Sequence, residues 1–193
     1  MAQQPTFVVI GGPNGAGKST AAAVLLPSTM TFLNADEIAK GLPTYPSLGA
    51  DREASRVLLN QVEELSASKS DFAVETTLAS RSLASRGRAL QKLGYQFQLL
   101  FAFLPDPDLA VIRVAGRVRQ GGHNIPEETI RRRYYAGLAN FFELYLPLVD
   151  SWKVFDSSIQ SPITIIAEGG LDRPSQVERP DLWNLMQESA KHG

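Results

Sequence analysis

The run Phe7-Val8-Val9-Ile10 leads directly into Gly12-Pro13-Asn14-Gly15-Ala16-Gly17-Lys18-Ser19, and the helix-forming stretch Thr20 to Leu26 follows. Strand, glycine-rich turn and helix, with the spacing G-x-x-x-x-G-K-S, are the context of a phosphate-binding P-loop. Glycines at 12, 15 and 17 let backbone N–H groups point inward around an anion, and the start of the helix adds its positive dipole end. Lys18 is placed to reach β- and γ-phosphates, and the Ser19 hydroxyl to ligate magnesium. The pattern implies a nucleoside triphosphate held by residues 12–20, Thr20 included, with Ser19 as the metal ligand.

The rest of the chain narrows the class. Its 193 residues suit one domain, expected over 1–193, with a core of useful size. A net charge of −1 gives no global pull toward nucleic acid or anionic lipid. No apolar run approaches the ~20 residues of a membrane helix. Absence of cysteine excludes disulfides, thiolate catalysis and cysteine-ligated zinc. The opening Met1-Ala2-Gln3-Gln4-Pro5 lacks the basic and apolar regions of a signal peptide, so a cytoplasmic enzyme is expected.

Apolar spacing predicts strands at about 6–10, 31–34, 72–74, 96–104, 154–155 and 163–166. Helices are predicted after the P-loop and over about 50–69, 80–93, 108–120 and 127–149. In the last of these Ile130, Tyr134, Leu138, Phe141 and Tyr145 share one face. Residues 169–180, rich in Gly, Pro and charge, read as a loosely packed tail with a turn of helix near Leu182–Met186. Alternating strands and helices imply an α/β fold: a P-loop NTPase with three α/β/α layers, a mostly parallel sheet of five to six strands, and a helical lid over 108–149. Ligands in such sheets sit at the carboxyl ends of the strands.

The P-loop string also occurs in ABC transporter ATPases, but the chain has no Leu-Ser-Gly-Gly-Gln signature and no apolar strand ending in Asp-Glu. It also lacks the Asn-Lys-x-Asp motif with which GTPases read guanine. A compact P-loop kinase or phosphotransferase remains. Asn34-Ala35-Asp36 after the second strand, Glu75-Thr76-Thr77-Leu78 after the third, and the segment from Gly121 to Tyr134 resemble the zeta toxin family of P-loop kinases, in its short single-domain branch. The likeness runs from about Phe7 to Ala167, with the motifs in the family's order. It implies ATP and Mg2+ as cofactors and phosphorylation of a sugar hydroxyl, with UDP-N-acetylglucosamine the acceptor of the well-known members. It also implies, for members that act as toxins, a small antitoxin partner. Relatives of similar architecture phosphorylate antibiotics, gluconate or shikimate.

Asp36 is the candidate general base, since transfer to a hydroxyl needs a proton acceptor near the γ-phosphate. The family uses an aspartate in the matching position. Capping of the following helix is its alternative role. Glu75 and Thr77 match residue types that bind the sugar in the family; Glu75 in the magnesium shell and Thr77 or Ser80 as a helix cap are the alternatives.

Residues 113–133 hold six of the thirteen arginines against only Glu127 and Glu128. This crowding reads as a lid that closes over phosphates rather than a solvated face. Helical geometry favours Arg117 and Arg133 as catalytic groups over Arg132. Arg117 and Arg119 are expected at the nucleotide, and His123 at a phosphate or an acceptor hydroxyl. The aromatic residues Tyr134, Tyr135, Phe141, Phe142, Tyr145 and Trp152 are expected in the core. Adenine is expected near Asp156-Ser157-Ser158. Two rival readings stay open: another acceptor (an antibiotic, a metabolite or a nucleotide end), or an ATPase or switch whose output is a partner interaction.

Overall fold

The run behind the P-loop is buried on both sides, with Phe7, Val9 and Ile10 fully inaccessible. A strand at the centre of a parallel sheet requires this. The computed structural model describes residues 4–45, 47–122, 124–158 and 163–193. The run forms β1 (Thr6–Gly11), followed by α1 (Lys18–Leu25), β2 (Thr31–Leu33), α2 (Ala35–Lys40), α3 (Leu48–Ala67) and β3 (Phe72–Glu75). Next come α4 (Ser82–Lys92), β4 (Gln96–Phe103), α5 (Pro107–Arg119) and α6 (Glu127–Asn140), which runs into a π-helical turn, Phe141–Tyr145. The chain closes with β5 (Ser151–Asp156), β6 (Thr164–Gly170), β7 (Arg173–Val177) and α7 (Pro180–Ala190).

The seven strands form one sheet in the order β2-β3-β1-β4-β5-β6-β7. The first five in that order run parallel, β6 pairs antiparallel to β5, and β7 pairs antiparallel to β6. Alternate residues of β1 serve opposite faces. Phe7 and Val9 join the large cluster under α3 to α6, and Val8 and Ile10 pack with Ala22 of α1. This is the layered α/β fold that the alternation predicts. Leu33 of β2 lies level with Val74 of β3, which lies level with Val9 of β1. The three motif-bearing ends therefore open onto one edge of the sheet. Among the described residues no helix is long and apolar enough to cross a membrane.

Three expectations need correction, the first being the strand count, which is seven rather than five to six because the tail adds β7. The long helix over 127–149 ends its α-helical part at Asn140 and widens into the π turn. Its apolar face is nevertheless as predicted, since Ile130, Tyr134, Leu138, Phe141 and Tyr145 are all buried. The tail is not loose. It supplies β7 and an eleven-residue helix, α7. Gly169 and Gly170 serve close packing: a Cβ on Gly170 would stand 2.3 Å from the Asp150 carbonyl oxygen, and one on Gly169 would stand 2.7 Å from the Trp152 ring. That ring stacks on Trp183 of α7, centroids 5.5 Å apart and planes 9° from parallel. Trp183 also meets Phe141 and Phe142 edge-on. Trp183→Ala is therefore expected to cost about 2–4 kcal/mol, toward the low end for a large aromatic because the ring is only partly buried. Urea unfolding followed by circular dichroism measures it.

Candidate active site

The P-loop is shaped by close approach. Gly12 has φ +142°, and a Cβ there would lie 2.4 Å from the Ala102 carbonyl oxygen of β4. Gly17 enters α1 with φ +71°, a left-handed conformation that glycine adopts without strain. Lys18 is nearly buried, and its Nζ donates to the Pro13 carbonyl at 3.0 Å. The same ammonium stands 3.6 Å from Glu75 Oε1. Burial pushes the Lys18 pKa down; the carboxylates of Glu75 and Asp36 pull it back up, and Arg117 lowers it. Lys18 thus feels all three of these charges.

At the end of β3, Glu75 Oε2 accepts from Ser19 Oγ at 2.6 Å and from Asn34 Nδ2 at 2.8 Å. Asn34 Nδ2 also reaches Ser19 Oγ at 3.3 Å. Its other amide atom, Oδ1, accepts from the backbone N–H of Asp36 at 2.8 Å and of Glu37 at 3.4 Å. Asn34 is therefore the cap of α2, the alternative role considered for Asp36. The Asp36 side chain is left exposed in the first turn. A hydroxyl and a carboxylate oxygen meeting beside the lysine form the hard-oxygen donor set that Mg2+ favours. Ser19 would ligate the ion directly, with Glu75 in its shell. Asn14 is buried at the cradle, and its Oδ1 has no partner among the described residues.

A cleft of about 550 Å³ lies over this cradle, lined by residues 14–15, 17–20, 34–36 and 75–77 together with Ser55, Ser80, Arg113, Arg117 and Arg133. Two further clefts adjoin it. One, of about 570 Å³, runs between α3 and the start of α6 and is lined by Asp51, Ser55, Thr129, Arg132 and Arg133 among others. The second, of about 260 Å³, lies against α2 and the end of α5, with Tyr45, Asp51, Arg117 and Gln120 in its wall. Asp36 lines all three clefts.

The arginine cluster divides. Arg117 and Arg133 line the cradle cleft, as their helical positions predict. Arg132, which the helical geometry turns away, lines the neighbouring cleft with Arg133. Arg113 serves as a strap: its guanidinium donates to the carbonyls of Ser157 at 2.7 Å and Ser158 at 2.8 Å, and reaches Gly15 O at 3.5 Å. Ser157 in turn donates from Oγ to the Ala16 carbonyl, so the segment after β5 is stitched to the P-loop. Arg131 pairs with Glu127 and Asp108. Arg119 lines none of the three clefts, because two residues along a helix turn the side chain about 200° from Arg117. Its guanidinium lies back beside Gly116. The expectation that Arg119 touches the nucleotide therefore finds no support in its position. His123 lies outside the described residues.

Thr77 lines the cradle cleft, and its Oγ1 accepts from the Ala79 N–H at 3.5 Å. Sequence reasoning passed over Asn34, Asp51 and Ser55. A signal existed for two of them: Ser47, Asp51 and Ser55 recur every four residues, on the same side of α3 as the buried stripe Ala54, Leu58 and Val62 and one turn nearer its start.

An uncharacterized protein of Haemophilus influenzae is 28% identical over 124 residues, 64% of this chain and 88% of that protein. In fold, the chain is similar to the crystal structure of AvrRxo1-ORF1:-ORF2 with ATP, with a TM-score of 0.76 at 16% identity over 95% of the chain. It spans 63% of the length of that protein. A structure of the PezAT chromosomal toxin-antitoxin system of Streptococcus pneumoniae gives a TM-score of 0.67 at 15% identity, covering 99% of this chain and 88% of that one. The fold is that of P-loop kinases. The zeta toxin family model matches residues 1–160, and the chain belongs to the zeta toxin family.

Proposed function

We propose that this protein is an ATP-dependent kinase that transfers the γ-phosphoryl group to a hydroxyl, with a UDP-amino sugar as its acceptor. The observation that carries the reading is the position of Asp36, the one side chain among the described residues common to the phosphate cradle and the two adjoining clefts. A nucleotide in the P-loop would direct its terminal phosphate toward that carboxylate, and an acceptor in either neighbouring cleft would bring a hydroxyl to it.

In the proposed reaction the acceptor oxygen bonds to the γ-phosphorus as the bond from that phosphorus to the ADP oxygen breaks. The hydroxyl proton passes to Asp36. Lys18 and the guanidinium groups of Arg117 and Arg133 offset charge on the transferred group. Thr77 and His123 would help hold the acceptor. Glu75, sharing its oxygen with Ser19, fits the magnesium shell better than the sugar contact that the family resemblance implies. A divalent cation held there would neutralise charge on the β- and γ-phosphates. The strap of Arg113 and Ser157 beside the P-loop supports placing adenine near residues 156–158. A small antitoxin is the proposed protein partner, by analogy with the PezAT toxin-antitoxin system.

The test is mass spectrometry of UDP-sugars and small metabolites incubated with the protein and Mg-ATP. A product heavier by about 80 Da, the mass of HPO3, is expected on a UDP-amino sugar and not with Lys18→Ala. Slow ATP hydrolysis with no phosphorylated acceptor would reject the kinase reading and favour a nucleotide switch.

A further inference from the structure

Helix α6, which carries Arg133, is fastened to the strand ends at three successive turns. Tyr134 donates its phenol to the Leu104 carbonyl at 2.8 Å. Gly137 approaches the Thr77 carbonyl so closely that a Cβ would stand 2.4 Å from the oxygen. Asn140, the last α-helical residue before the π turn, donates from Nδ2 to the Leu78 carbonyl at 2.8 Å. Such π turns are rare and often lie beside functional sites.

Leu78 is the unusual partner. It is fully buried, yet it has φ +59°, in the left-handed region. A non-glycine residue keeps that conformation only where its surroundings over-determine it. Three contacts do so here. Its side chain packs where β1 ends, since a Cβ on Gly11 would come within 2.9 Å of Leu78 Cδ1. Its N–H is taken by Thr76 Oγ1 at 3.1 Å, and its carbonyl by Asn140. The segment Glu75-Thr76-Thr77 is thus held between the base of the P-loop and α6.

We propose that Asn140 is a positioning residue for the acceptor. By holding Leu78 in its left-handed conformation it sets Thr76 and Thr77 at the rim of the phosphate cleft. It also makes α6 a fixed wall of the site rather than a swinging lid. The expectation of a mobile lid over all of 108–149 then gives way to an Arg133 that is already in place. The inference rests on the kinase reading for its catalytic consequence, but its structural half can be measured without any acceptor.

Asn140→Asp keeps the size of the side chain and replaces the donor with an acceptor that faces the Leu78 carbonyl. With UDP-N-acetylglucosamine as probe, the acceptor KM is expected to rise about 5- to 10-fold, with the ATP dissociation constant unchanged within about twofold. In hydrogen exchange, the amides of residues 76–79 should lose protection while those of α1 keep theirs. An unchanged acceptor KM, or a loss of ATP affinity in proportion to it, overturns the proposal. If Asn140→Asp does not fold, Asn140→Ala carries the same measurements. If the wild type phosphorylates no UDP-sugar, that failure falls on the proposed reaction. The exchange measurement then decides the clasp alone: retained protection at 76–79 in the variant overturns it, and selective loss supports it.

Discussion

Asp36→Asn is expected to lower turnover by roughly 10²–10⁴-fold, the range for removal of a general base. Asparagine preserves the volume and most of the polarity of the side chain but cannot accept the acceptor's proton. The carboxylate's other effect is electrostatic: with Glu75 it favours the charged form of Lys18. The cap of α2 is made by Asn34, whose Oδ1 takes the N–H of residue 36 itself, and that bond survives the substitution. The cradle is built from P-loop backbone, Lys18 and Ser19, so ATP affinity should stay within about twofold. A steady-state assay with the identified acceptor, paired with calorimetric ATP titration, reads both quantities. Unchanged turnover would remove Asp36 from the mechanism, and a parallel loss of ATP binding would make its role electrostatic rather than proton transfer.

The second large effect is expected at Lys18. Lys18→Met retains the aliphatic stem and removes the charge that the P-loop aims at the phosphates. Phosphoryl transfer should fall by at least about 10²–10³-fold, the scale of losing one preorganised electrostatic contact. ATP binding should weaken with it, in contrast to Asp36→Asn. Stability should behave differently from activity. Desolvation of the ammonium is the largest influence on this lysine, and it is unfavourable to the charged form. Removing one partner of a buried ion pair usually destabilises by stranding the other charge, but here that cost is offset by the desolvation relieved at Lys18. The Glu75 carboxylate does not become an orphan either, because Ser19 and Asn34 still donate to it. Thermal unfolding at or slightly above the wild-type temperature, together with lost transfer, is the expected pair of results. A large fall in melting temperature would instead make Lys18 a structural pivot of the loop.

The parts of the site readable from the chain are those where local pattern and position coincide. An apolar run ending in a polar residue marks a strand's carboxyl end, so the P-loop, Asp36, Glu75 and Thr77 could be found one strand at a time. The register of β1, β2 and β3 then brings them to one edge. The arginines could be found only as a group. Arg113 is consumed by carbonyls 44 and 45 residues away, and Arg131 by a carboxylate on another helix. Spacing along α6 shows only the i,i+4 pair of Arg131 with Glu127, and carries no trace of the bonds to Asp108, Ser157 and Ser158. Asn34 was missed for a similar reason, since its bonds to Ser19 and Glu75 exist only after three chain segments have met. The tail reads as loose because it is rich in Gly, Pro and charge, whereas Gly169 and Gly170 make room for an indole and a carbonyl.

The stacked indoles have a practical consequence for spectroscopy. The chain contains only these two tryptophans, Trp152 and Trp183, and they share one aromatic cluster with Phe141 and Phe142. Intrinsic emission therefore watches the seam between α7 and the sheet. Detachment of that helix would quench or red-shift the signal before the core melts. Nucleotide titrations would instead need an extrinsic dye at the cradle.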